Sequence, residues 1–183
     1  MQLVSDVVDI LGNTISARNV VHLTLAKNHL DLEGYLSLSK FLEKKSPLKI
    51  LELEGNPMDD VECAQRLSRA LIAHPSLEKL KVHDCGLGSN TQILSAIAST
   101  MNRVSFLSLS SNDIDNDGAA VIGNILSANP APLKTLHVQL NEIDGDGVAS
   151  FTEALCTNTN LRDLRLGQND ITEVGENLLR KTV

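Results

Sequence analysis

Residues 104–114 read Val-Ser-Phe-Leu-Ser-Leu-Ser-Ser-Asn-Asp-Ile, and this stretch decides the fold. Leu107 and Leu109 are two residues apart, so both side chains leave one face of a short strand. Asn112 follows three residues after Leu109 and suits a turn, where its amide can satisfy backbone groups that no ladder partner reaches. Ile114 resumes the apolar side, and from there the period lengthens to about 3.6. Ala119, Ile122, Ile125 and Leu126 form one helical stripe.

The same pattern, L-x-x-L-x-L-x-x-N-x-L, fits the chain six times. It starts at Val20 (Leu23, Leu25, Asn28, Leu30), Leu48 (Leu51, Leu53, Asn56, Met58) and Leu77 (Leu80, Val82, Cys85, Leu87). It starts again at Val104, at Leu133 (Leu136, Val138, Asn141, Ile143) and at Leu161 (Leu164, Leu166, Asn169, Ile171). Successive starts are 28, 29, 27, 29 and 28 residues apart by subtraction. Each unit continues into a helix, as Val148, Phe151, Ala154 and Leu155 show in the fifth. Asp31, Asp115, Asp144 and Thr172 are the expected N-caps. Breaks at Ser46-Pro47, His74-Pro75, Asn129-Pro130 and Asn158-Thr159 return the chain to the next strand.

A strand, a turn and a helix per repeat predict a parallel sheet with helices on one side, joined by right-handed crossovers. Helices are wider than the spacing between strands, so the stack bends. The expected architecture is α/β: a horseshoe arc with the sheet on the concave face and helices on the convex face. Residues 20–183 form the array, and residues 1–19, where Leu3, Val4, Val7, Val8 and Leu11 have helical spacing, are expected to cap its first strand. Composition agrees with a thin layer repeated many times. The chain is 42% hydrophobic, yet it holds no Trp, one Tyr and three Phe, so aliphatic residues supply the packing.

The repeat length, the full helix and the Gly six residues after the Asn (Gly34, Gly118, Gly147, Gly175) resemble the ribonuclease-inhibitor-like class of leucine-rich repeats. That family includes ribonuclease inhibitor, the GTPase-activating protein of Ran, the C-terminal half of tropomodulin and the sensor arrays of NOD-like receptors. The resemblance covers roughly residues 20–180 and implies a solenoid that binds another macromolecule. The third repeat departs: Cys85 replaces the Asn, and Gly86-Leu87-Gly88-Ser89-Asn90 predicts an irregular turn and helix start.

Charge excludes several functions. A net charge of −7 argues against general nucleic-acid binding and against an anionic membrane surface. The three cysteines, Cys63, Cys85 and Cys156, fit neither a disulfide framework nor a zinc pattern. Cys63 and Cys156 are expected to be packing residues. A reduced, cytoplasmic setting and a monomer are the expectation.

Two segments look like chemistry. Glu142 to Gly147, with Glu153 at the twelfth position, has EF-hand-like spacing. Glu142 stands where Asp is usual, Ala149 where a branched aliphatic is usual, and the segment is in register with every other turn, so helix capping is the expected role. His83-Asp84-Cys85 holds the residue types of a cysteine hydrolase, but neighbours on a strand point to opposite sides. No catalytic residue, metal or cofactor is expected.

The surface is then the candidate site. Outward strand positions form three rows: His22, Ile50, Lys79, Phe106, Thr135, Asp163; Thr24, Glu52, Lys81, Ser108, His137, Arg165; and Ala26, Glu54, His83, Ser110, Gln139, Gly167. A protein partner is expected to dock on Phe106, Ile50, His137, Lys79, Lys81, His83 and Arg165, with Phe106 as anchor because nothing nearby looks large enough to cover it. Five of the six turns, all but the third, carry two or three acids each, a rim that can steer a basic partner. Two other readings stay open: a GTPase-activating accessory like the Ran activator, for which Arg162 and Arg165 are the late concave arginines, and a structural fragment of a larger receptor or cytoskeletal protein.

Overall fold

The computed structural model of the protein describes residues 19–44, 46–128 and 132–182. The expected cap over residues 1–19 therefore lies outside the described residues, apart from Asn19. Six strands, β1 (His22–Thr24), β2 (Ile50–Glu52), β3 (Lys79–Lys81), β4 (Phe106–Ser108), β5 (Thr135–His137) and β6 (Asp163–Arg165), form one parallel sheet in sequence order. Six helices alternate with them: α1 (Leu32–Leu42), α2 (Val61–Ala73), α3 (Thr91–Ala98), α4 (Asn116–Ser127), α5 (Gly145–Thr157) and α6 (Glu173–Thr182). The register has no slip, since Leu23, Leu51, Leu80, Leu107, Leu136 and Leu164 pair in sequence across the sheet.

The core is the space between sheet and helices. Leu51, Leu80, Leu107 and Leu136 are fully buried, as are Leu53, Val82, Leu109 and Val138 two residues on. Opposite them the helices contribute Leu38, Leu67, Ile97, Ile122 and Phe151. Asp31, Asp60, Asp115 and Asp144 start their helices by accepting a backbone N–H from the first turn. The recurrent glycines have a packing reason: a Cβ on Gly34, Gly118, Gly147 or Gly175 would meet Leu30, Ile114, Ile143 or Ile171 at 2.7–2.9 Å. The third repeat is irregular. A 3₁₀ turn over Leu87–Ser89 precedes α3, which Asn90 caps, and Gly88 lies directly against the Asp113 carbonyl, where no Cβ fits.

The turns are where repeats are joined. Asn56 Oδ1 accepts from Asn28 N–H (3.1 Å) and Leu30 N–H (3.0 Å) of the preceding repeat, while its Nδ2 donates to the Leu25 and Leu53 carbonyls (both 2.8 Å). Asn112 reaches back to Cys85 N–H (2.9 Å) and the Val82 carbonyl (2.7 Å). Asn141 reaches back to Asn112 N–H (2.9 Å), Ile114 N–H (3.1 Å) and the Leu109 carbonyl (3.2 Å). Each amide thus holds four or five backbone groups of two successive repeats. Cys85 has no amide oxygen, and there its backbone carbonyl takes Met58 N–H (2.9 Å) while its thiol donates to the His83 carbonyl (3.2 Å).

The end repeats correct the expectation of a uniformly buried turn. Asn28 is exposed and Asn169 half-buried, whereas Asn56, Asn112 and Asn141 are buried. The residue before each turn position is left-handed throughout: Lys27, Gly55, Asp84, Ser111, Leu140 and Gln168 have φ between 51° and 68°. Leu140 is the costly member, because its Cβ crowds the carbonyl there and 49% of its surface is exposed.

Replacing Asn112 or Asn141 by Ala is expected to cost about 1–3 kcal/mol of stability, measured by urea unfolding, because four or more backbone groups lose their partner. Unchanged midpoints would show these turns to be solvated. Leu140→Gly is expected to raise stability by about 1 kcal/mol through relief of the left-handed strain, partly offset by a freer unfolded chain; a lower unfolding midpoint would contradict that balance.

Candidate functional site

The concave rows are set by the pleat, since residues flanking each buried Leu must point away from the core. Their burial is uneven. At the middle of the sheet Ser108 is fully buried and Ser110 nearly so, which corrects their placement as solvent-facing positions. Large rings on the neighbouring strands cover these small side chains. His83 on the β3 side hydrogen-bonds through Nε2 to Ser108 Oγ, and Ser108 Oγ lies 3.4 Å from Ser110 Oγ. His137 is the in-register neighbour of Ser108 on β5.

Phe106 is half-buried rather than bare. The His137 ring meets it edge-on, with centroids 4.8 Å apart and planes at 75°. Such a pair adds roughly 0.5–1.5 kcal/mol beyond area burial. The structure therefore brings Phe106, His137 and His83 together around Ser108, across β3 to β5. It was the neighbouring strand's ring, invisible in any local window, that supplies the cover sequence reasoning found lacking.

The other candidates are arranged around this centre. Ile50, Lys79 and Phe106 lie side by side in one row, in register. Lys81 is drawn away toward β2 by a 2.6 Å ion pair with Glu52, which also lies 3.4 Å from His22 Nε2. That ammonium holds the Glu52 carboxyl below its ordinary range. Arg165 is on the far side, its Nε 3.2 Å from Asp163 Oδ2, and Arg162 donates to the Thr159 carbonyl (3.0 Å). Both arginines are thus engaged by groups two or three residues away in the chain. Glu52, one strand spacing from Lys81 in the rows, is the internal charge pairing expected from the sequence, whereas Asp163 was not singled out as a partner. The only signal for Asp163 was its place two residues from Arg165.

Burial depresses the imidazoles. His83 is held below its ordinary pKa mainly by burial, opposed by Glu54 and Glu52, and His137 by burial together with the Arg165 charge. His137 Nε2 is buried 3.8 Å from Asp163 Oδ2, beyond hydrogen-bond reach. The centre of the concave face is therefore a neutral, aromatic patch at pH 7, with charges at its margins.

The two chemistry-like segments resolve locally. Asp144 caps α5 by accepting from Asp146 N–H (2.8 Å), and Asn116 Oδ1 takes Asp144 N–H (3.1 Å) and Gly147 N–H (3.0 Å). These atoms serve the turn of the fifth repeat. The His83 ring engages Ser108 while the Cys85 thiol meets the His83 backbone carbonyl, and burial pushes that thiol up to about 11, far from the thiolate a nucleophile needs. Cys63 is buried, as expected of a packing residue, but Cys156 is exposed on the solvent side of α5, which corrects that reading. No helix among the described residues is long and apolar enough to cross a membrane.

Comparison with known proteins places this architecture. A family profile described as "Leucine Rich repeat" matches residues 104–123, 130–151 and 157–175. Pig ribonuclease inhibitor is 31% identical over 144 residues, covering 78% of this chain and 31% of that protein. The chain belongs to the ribonuclease-inhibitor-like leucine-rich-repeat family. Mouse NACHT, LRR and PYD domains-containing protein 4C is 30% identical over 164 residues, covering 88% of this chain and 16% of that protein. Arabidopsis RAN GTPase-activating protein 2 is 27% identical over 128 residues, covering 68% of this chain and 23% of that protein. The chain thus spans less than a third of the length of each of these relatives. As a leucine-rich-repeat array it is a protein-interaction module.

The histidines give a pH test with a fixed sign. His74, His83 and His137 all have pKa values lowered in the fold, so below pH ~6.5 the unfolded chain takes up protons first. Their full contribution is present above that pH and is lost as pH falls through the folded values. Imidazole NMR titrations should show midpoints below the unfolded value for these three, with unfolding free energy falling between about pH 7 and 5. A midpoint for His137 above the unfolded value would mean that the Asp163 contact outweighs burial.

Proposed function

We propose that this array binds a protein partner on its concave sheet, with Phe106 and His137 at the centre of the contact. The carrying observation is the Phe106–His137 pair, which stands mid-sheet on β4 and β5 over a layer of buried serines. Its footing is packed, because Ser108, hydrogen-bonded to His83, and Ser110, 3.4 Å from Ser108 at Oγ, are both buried. Ile50, Lys79, Lys81, His83 and Arg165 surround it with apolar, basic and polar groups. An aromatic anchor ringed by polar residues is the arrangement in which a few contacts carry most of the binding energy.

The relatives point the same way. A ribonuclease inhibitor and a RAN GTPase-activating protein are named for what they do to another protein, and we extend that mode of action, though not those targets, to this chain. A GTPase-activating role is less favoured, since among the described residues Arg165 is paired with Asp163 and Arg162 with the Thr159 carbonyl.

The test is capture of the partner from the source cell followed by titration of variants. Phe106→Ala is expected to weaken binding by about 2 kcal/mol, roughly thirtyfold, while the melting temperature falls only slightly. A variant that unfolds readily yet binds at full strength when folded would make Phe106 a structural residue and move the site elsewhere.

A further inference from the structure

Most charges on the concave face are matched within the array. Glu52 is held by Lys81 at 2.6 Å and lies 3.4 Å from His22. Glu54 is 3.9 Å from Lys27, and Asp163 is taken by Arg165 at 3.2 Å. Lys79, exposed at the start of β3, has no ion pair among the described residues. The neighbouring Glu78 carboxylate is held below its ordinary pKa by Lys49, 2.8 Å away, and only secondarily by Lys79. Position makes this matter. Lys79 is the in-register neighbour of Ile50 on one side and of Phe106 on the other, and both of these are half-buried. A partner seated on Ile50 and Phe106 must therefore cover Lys79, which stands on the strand between them. Covering a lone ammonium strips its water, a penalty that only an opposite charge in good geometry offsets.

On the reading that a protein docks at Phe106, we infer that its docking segment carries an Asp or Glu side chain that meets Lys79, flanked by apolar side chains that meet Ile50 and Phe106. The counter-charge must come from the partner, because the carboxylates near Lys79 are already held by Lys81 and Lys49. The local field favours such a segment, although the chain as a whole carries a net charge of −7. Among the first residues of the strands and the residues just before them, Lys49, Lys79, Lys134 and Arg162 outnumber Glu78 and Asp163. The acids of the turns lie past the other end of the strands. Asn112, where the fourth turn begins, is six residues from Phe106 by subtraction. At the rise of a strand that is roughly 20 Å, beyond the ~8 Å over which exposed charges act in physiological salt. An acidic segment is thus drawn to the strand-start edge of the sheet and repelled from the turn edge, which sets where it lies.

A phage-displayed library of random peptides, roughly twelve residues long, panned on the intact chain tests this directly. Peptides recovered on the wild-type protein are expected to carry Asp or Glu with apolar residues on both sides. Fluorescence anisotropy is expected to show them binding at least about tenfold more weakly to Phe106→Ala and to Lys79→Glu. Replacing the peptide's acid by Lys is expected to abolish binding to the wild type and to restore it on Lys79→Glu to within about threefold. Lys79 is exposed, so its substitution leaves the core intact, and circular dichroism checks the fold of each variant. Peptides that need Phe106, lack an acid and ignore Lys79→Glu overturn the inference and leave the concave site standing. Peptides indifferent to Phe106→Ala overturn that site as well. Recovery of no peptide on the wild type overturns the acidic segment and leaves the concave face to a folded partner.

Discussion

The side-chain amide of the turn asparagine is the interaction on which the rest depends. A strand of three residues makes few ladder bonds, too few to hold one repeat against the next. At Asn56, Asn112 and Asn141 a single buried amide adds four or five hydrogen bonds, split between its own repeat and the preceding one. Both of its functions are needed, since the oxygen takes N–H groups and the nitrogen serves carbonyls. Inside a dry turn each such group left alone would carry its full desolvation penalty. The left-handed residue before each Asn is the conformational consequence, because the chain must reverse sharply for the amide to point inward.

That constraint fixes the shape of the surface. With turns stitched at one interval, each strand lies in register beside the next, and the flanking residues of every strand become rows. What a row does depends on neighbours 27 to 29 residues away in sequence. Serines between two histidines sink; a phenylalanine beside a histidine gains a partner; a lysine beside a glutamate is pulled out of the centre. The neutral patch at Phe106 and the charged margins both follow from this cross-strand logic, with no change in the backbone.

The first and sixth repeats show the same physics with fewer partners among the described residues. Asn28 is exposed and its amide nitrogen reaches only the Ala26 carbonyl (3.0 Å) among the described residues. In the sixth repeat Asn169 serves Ile143 N–H and the Val138 and Leu166 carbonyls. A solenoid buries each layer against its neighbours, so each repeat draws its stability from those stacked beside it.

The sequence alone determined the repeat, its six copies, the strand and helix of each, the core leucines and most of the caps. These are legible because the buried anchor positions obey local periods of two and about 3.6, and because six repetitions average out local noise. The irregular third repeat was legible too, from Cys85 and the glycines after it. Only the tertiary structure decided that Ser108 is buried, that His137 rather than solvent meets Phe106, that Asp163 holds Arg165, and that Cys156 faces out. The physical reason is the same in each case. An outward side chain has no period of its own, so its burial and charge state are set by whichever residues the stacking brings beside it.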